Sequence, residues 1–400
     1  MSADNHTNLL RRLRTSSGTT LLLALAPLLA LGAVLAYMVL TGAGLNELSG
    51  PPVEQLTVER VTLPEPGMIV VRIVNDGPQP LRLSQVIVDE AYWTFEAEPA
   101  NIVPRLGRAT LTIPYPWVEE EAHALTLVTA LGTTFDVEVP VAVESPRPSA
   151  SLFMRFGLVG LYVGIVPVGL GMLWFPLMRR LSAQGMNFIL SLTVGLLVFL
   201  AVGTWLDALE FAALLPAFWQ GVPLVVFVAL LALGGLLATG SLRRRADRPL
   251  DTAYLLSFGI GLHNLGEGLA IGAAFALGEA ALGTFLVLGF TLHNITEGVG
   301  ISAPLVKQPP RRVHFAALIL LAGGPAILGT WVGGFAFNPV LATIFLAVGV
   351  GAILQVVWEV GKLVARESEA LGEPLVNWMN LSGLTAGLAI MYFTAFLVKF

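Results

Sequence analysis

From Leu152 to near the end of the chain, one long apolar run follows another. Their approximate spans are 152–178, 187–210, 219–240, 251–277, 280–304, 313–336, 339–365 and 376–398. A helix rises 1.5 Å per residue, so a run of about 20 residues covers the ~30 Å hydrocarbon layer of a bilayer. Lipid offers no hydrogen bonds to a bare backbone, so runs of this kind become helices. Composition agrees. Of the 400 residues, 55% are hydrophobic and 12% charged, and the mean hydropathy is +0.78; soluble domains carry roughly a quarter charged residues. The sequence predicts an α-helical integral membrane protein with an eight-helix bundle over residues 149–400.

Two segments precede the bundle. Residues 1–47 begin with the basic stretch "NLLRRLRTSSG" and continue into an apolar run from about Thr19 to Thr41. That run exceeds the roughly 7–15-residue core of a cleaved signal peptide, so it is expected to be a transmembrane anchor. Residues 48–148 are polar and proline-rich, with short alternating runs such as "MIVVRIVN", "LRLSQVIV" and "TFDVEVPVAV". Turn residues in "NDGPQP" and "ALGTT" separate them. About seven short strands in this length suggest an immunoglobulin-like β-sandwich.

Loop charge sets an expected orientation. "MRRLS", "SLRRRADR", "KQPPRR" and "GKLVARE" occupy alternate loops, while "LPAFWQG", "LGEAALG" and "FNP" contain no Lys or Arg. Basic loops stay cytoplasmic. The N-terminus is therefore expected inside, and the β-domain and C-terminus outside, of a plasma (cytoplasmic) membrane. The chain has no cysteine, which excludes disulfides, thiolate metal sites and cysteine nucleophiles. No long basic tract points to nucleic acid.

Polar residues inside the runs carry the chemistry. "LHNLGEGLAIG" starts at Leu262 and "LHNITEGVGIS" at Leu292. A charged residue at a helix centre costs about 2.5–3.5 kcal/mol on insertion scales, so it needs a partner or a function. Positions i and i+4 share a helical face, so His263 is expected to converge with Glu267, and His293 with Glu297. Asn264 and Asn294 are turned about 100° away and border the same site or a second one. His263 lies about twelve residues from the cytoplasmic end of its run and His293 about thirteen from the outer end. Both are therefore ~18–20 Å deep, and antiparallel neighbours bring them level. Two imidazoles with carboxylates and amide oxygens suit a borderline first-row divalent cation. Gln355 and Glu359 lie in the seventh run, and Asp207 and Glu210 at the outer end of the second. The glycines crowding both motifs suit close helix packing or an interrupted helix. His123, beside "VEEEA" in the β-domain, is expected in a solvated loop.

The paired motifs on consecutive helices, within this topology, resemble the ZIP family of divalent metal transporters over about residues 152–400. The resemblance implies that His263, Asn264, Glu267, His293, Asn294 and Glu297 are metal ligands. It makes Glu359, in "GAILQVVWEVGKLV", a further acidic ligand, with Gln355 one turn away. Asp207 and Glu210 then stand near the outer entrance. Two departures are plain. Gly266 and Thr296 occupy the family's usual proline position, and the loop "SLRRRADR" lacks the histidine-rich tract of many relatives.

The expected function is movement of divalent metal, Zn²⁺ first and Fe²⁺, Mn²⁺ or Cd²⁺ next, into the cytoplasm. No cofactor is implied, and no "GxxxxGK[ST]" points to direct use of ATP. A homodimer and an extracytoplasmic partner for the β-domain stay open. Two other readings stand beside it. An intramembrane metalloenzyme would need a water-activating base beside a three-ligand zinc, and "HExxH" is absent. A membrane-anchored receptor would place the function in the β-domain, and has no use for two matched polar triplets.

Overall fold

The computed structural model describes residues 17–41, 53–145, 147–243, 249–276, 280–336 and 338–398. The basic N-terminal stretch and most of the arginine-rich loop lie outside them. Helix α1 (Ser17–Thr41) forms a unit by itself and contains Pro27. Its described side chains from Leu25 onward are exposed.

The second unit begins with the β region. Its nine strands are β1 (Leu56–Glu65), β2 (Met68–Asn75), β3 (Leu81–Val88), β4 (Ala91–Trp93), β5 (Glu96–Glu98), β6 (Ile102–Val103), β7 (Arg108–Ile113), β8 (His123–Thr129) and β9 (Thr134–Val139). They form two antiparallel sheets, in the orders β1-β2-β7-β5 and β4-β3-β8-β9, with β6 also pairing β3. Strand alternation places Ile69, Val71, Ile73, Leu111 and Ile113 of one sheet against Val86, Val88, Leu125 and Leu127 of the other, in one shared core. Register keeps apolar partners opposed: Ile69 faces Ile113, and Val86 faces Leu127. The count exceeds the expected seven because β4, β5 and β6 have only two or three residues, too few to show a period of two.

The β region is tied to the helices at two points. Leu63 and Ser145 exchange hydrogen bonds, and Ser149 then caps helix α2 by accepting from Leu152 N at 3.2 Å. The β2–β3 turn reaches the helices too: Asp76 Oδ2 accepts from Ala217 N at 2.9 Å.

The helices are α2 (Ala150–Met178), α3 (Ala183–Ala213), α4 (Gly221–Arg243), α5 (Pro249–Ala276), α6 (Ala280–Ser302), α7 (Arg312–Ala336), α8 (Pro339–Ala370) and α9 (Trp378–Val398). Six of them, α2, α3, α4, α7, α8 and α9, are long and apolar enough to cross a membrane. The chain is thus a multi-pass helical membrane protein. The other two, α5 and α6, carry the His, Asn and Glu residues that lower their hydropathy. Their 28 and 23 residues still give lengths of about 42 and 35 Å. Seventeen of the 28 residues of α5 are buried, so its polar groups face protein.

Glycines decide which helices touch backbone to backbone. A Cβ on Gly261, Gly268 or Gly272 of α5 would overlap the carbonyls of Leu321, Ala326 or Thr330 on α7. Gly164 and Gly323 do the same for α2 and α7, and Gly171 and Gly298 for α2 and α6. A second set joins α3 to α9 through Gly195 and Gly387, and α4 to α8 through Gly351. Between the two sets the tight approaches are to side chains: a Cβ at Gly259 of α5 would meet Gln355 Oε1 of α8, and one at Gly300 of α6 would meet Thr193 of α3. Helices α2, α5, α6 and α7 therefore interlock as one group, and α3, α4, α8 and α9 as another.

Candidate metal site

The two motif histidines meet on one carboxylate. His263 Nε2 lies 2.9 Å from Glu267 Oε1, and His293 Nε2 lies 2.7 Å from the same oxygen. All three side chains are buried, at 5% exposure or less. Their ligand atoms fall within 4.8 Å of one another. The i, i+4 expectation holds for His263 and Glu267. It does not describe α6: His293 turns to Glu267 instead of Glu297, because the motif faces of α5 and α6 oppose each other and the carboxylate across the gap is within reach.

The asparagines cross-link the motifs in the same sense. Asn294 Nδ2 donates to Glu267 Oε2 at 3.3 Å, and Asn264 Nδ2 donates to Glu297 Oε2 at 3.4 Å. Each also donates to a neighbouring backbone, Asn294 to Val163 O at 2.9 Å and Asn264 to Ala322 O at 3.0 Å. Sequence reading missed the first of these, although Pro167 signals it. A proline has no N–H for the carbonyl four residues back, which is Val163 O. Helix α2 widens there into a π-helix over Leu161–Ile165, a local form common at functional sites. The helix irregularity thus lies in α2. Helices α5 and α6 run unbroken through Gly266 and Thr296, and the glycines of α5 serve packing.

Several buried atoms have no hydrogen-bond partner among the described residues: both ring nitrogens of His263, Oδ1 of Asn264 and Asn294, Oε1 of Glu297, and both amide atoms of Gln355. His263 Nε2 is near Glu267 but off the line that a hydrogen bond needs. Over 90% of buried polar groups in native structures are paired, so this many together mark a place built for something else. Donors around a tetrahedral zinc, with bonds of 2.0–2.2 Å, stand roughly 3.4 Å apart. The 2.7 and 2.9 Å separations need to open by about 0.5–0.7 Å to match.

The remaining expected residues divide. Asp207 is half-buried and lines a cavity of about 170 Å³ with Thr204, Glu267, Phe290, His293 and Met391. Glu210, one turn away, is exposed and does not line it. Gln355 is fully buried, and its Oε1 lies against Gly259, one turn along α5 from His263. Glu359 pairs with Lys362 at 2.9 Å. His123 is not in a solvated loop: it opens β8 at 5% exposure. Its Nδ1 meets Asp89 Oδ2 at 2.7 Å and its Nε2 accepts from Val118 N at 3.3 Å, which leaves neither nitrogen for a cation.

Sequence comparison adds nothing to this geometry: no family model and no curated protein matches the chain.

Proposed function

We propose that this chain carries divalent metal, Zn²⁺ foremost, across a membrane through the site built on His263, Glu267 and His293. The observation that supports this most is the set of unpartnered donor atoms around a carboxylate already shared by two imidazoles. A polar clamp between helices would be satisfied internally. This arrangement instead keeps imidazole nitrogen and amide and carboxylate oxygen in reserve, the mixture that suits borderline first-row cations. The likeness to ZIP transporters supports the same reading and counts α2 to α9 as their eight-helix unit. The two sheets are read as an immunoglobulin-like sandwich outside the membrane.

Access fits an approach from outside. The cavity beside the cluster draws on residues 199–207 of α3, 285–293 of α6 and 391–395 of α9. The segments of α3 and α6 lie toward the ends joined by the loops without Lys or Arg, the ends that charge assigns to the exterior, and that of α9 lies toward its C-terminal end. The cluster also sits where the two glycine-locked groups meet through side chains. Movement of one group past the other would carry the cation from the outer side to the inner without unfolding either.

X-ray absorption at the zinc edge, on protein loaded with one equivalent, tests the site. Scattering from two imidazoles is expected, falling to one in His293→Ala. A spectrum with no imidazole, unchanged by that substitution, would sink the assignment.

A further inference from the structure

The charge of the cluster limits how many cations it can hold. Among the described residues its buried part contains two carboxylates, Glu267 at 2% exposure and Glu297 at 1%. The other donors, the imidazoles of His263 and His293 and the amides of Asn264, Asn294 and Gln355, bind metal as neutral groups. Glu359 has Lys362 beside it at 2.9 Å, so that pair adds no net charge. One turn along α8 from Glu359, toward Gly349 and the cluster, the residue is Gln355. It is fully buried, both of its amide atoms lack a partner, and its Oε1 lies one turn of α5 from His263. This is where a third carboxylate would stand, and an amide supplies the oxygen without the charge.

One divalent cation and two carboxylates sum to zero. A second cation would leave two positive charges uncompensated in a dry interior, which neutral donors do not offset. We infer that the cluster holds one divalent cation per chain, exchanged between an outer position at His263, Glu267 and His293 and an inner one at Asn264, Glu297 and Gln355, and that the neutral side chain of Gln355 sets this limit. The crossed bonds from Asn294 to Glu267 and from Asn264 to Glu297 then steady whichever carboxylate the cation has left. The inference rests on the reading of this cluster as a divalent-cation site, and goes beyond it in fixing the count.

Equilibrium dialysis of the purified full chain against Zn²⁺, followed by elemental analysis, reads that count. Zinc bound by Glu267→Ala is subtracted, which removes surface sites. The wild type should hold one zinc per chain. Gln355→Glu should hold two, with a metal–metal distance of about 3.5–4 Å visible by X-ray absorption. Two zincs in the wild type would overturn the inference, and a folded Gln355→Glu that still holds one would overturn the role of Gln355. If that variant does not fold, the wild-type count and the presence or absence of a metal–metal distance decide. No specific zinc in the wild type would overturn the reading of the site itself, a result distinct from the wrong count.

Discussion

At the scale of single residues, Glu267 organises the site because it accepts from His293 and Asn294 across the helix gap and has His263 beside it on its own helix. The i, i+4 spacing made its pairing with His263 legible in the sequence. Its capture of His293 was not legible, since spacing along one helix says nothing about which side chain reaches across to the next. Asp89 does similar work in the β region. Burial opposes its charge, but the Tyr115 hydroxyl, Ala124 N and His123 outweigh that and hold its carboxyl below the ordinary range. The same hydrogen bond from Tyr115 pushes the tyrosine up to about 12. A depressed acid contributes stability that is complete above the unfolded value, near 3.9, and is lost as pH falls through the folded one. Amide protection of β3 and β8, followed by hydrogen exchange, should therefore drop on acidification below about pH 4. Asp89→Asn should show a flatter acid limb; identical acid profiles for the two proteins would contradict this role.

At the scale of elements, hydropathy placed the helices within a few residues. The main differences are at the ends of α3, which starts at Ala183, and α8, which continues to Ala370. Both ends lie beyond the apolar runs, next to Gln184 in α3 and in the charged stretch "RESEA" of α8, so hydropathy did not mark them. Glycine was ambiguous in sequence, since it suits both packing and interruption, and the carbonyls it meets resolve the ambiguity. A Cβ at Gly268 would overlap Ala326 O, which is helix backbone and cannot turn aside, whereas nothing lies within 4 Å of Gly235 on α4. Gly268→Ala should therefore cost about 1–3 kcal/mol, as overpacking does. Gly235→Ala should be neutral or stabilising by up to about 1 kcal/mol, as helix propensity predicts. Thermal melts of the two variants in detergent separate these cases; equal melting temperatures would contradict the interlock.

At the scale of the molecule, a row of apolar runs was enough to read a helical membrane protein with a β region before its bundle. The division into two interlocked helix groups was not readable, because it depends on which glycine faces which carbonyl. Nor was the contact between Asp76 and Ala217, which joins residues 141 positions apart in sequence. The two groups give the cluster its setting, since its donors come from α5 and α6 while Gln355 and the cavity wall at Asp207 come from the other group. Whether a divalent cation crosses through this cluster is read from Zn²⁺ entry into liposomes containing the purified chain and a trapped zinc indicator. Saturable entry is expected with the wild type, and none above empty liposomes with correctly folded Glu267→Ala. Entry at the same rate in both proteins, or none with the wild type, would contradict passage through the cluster.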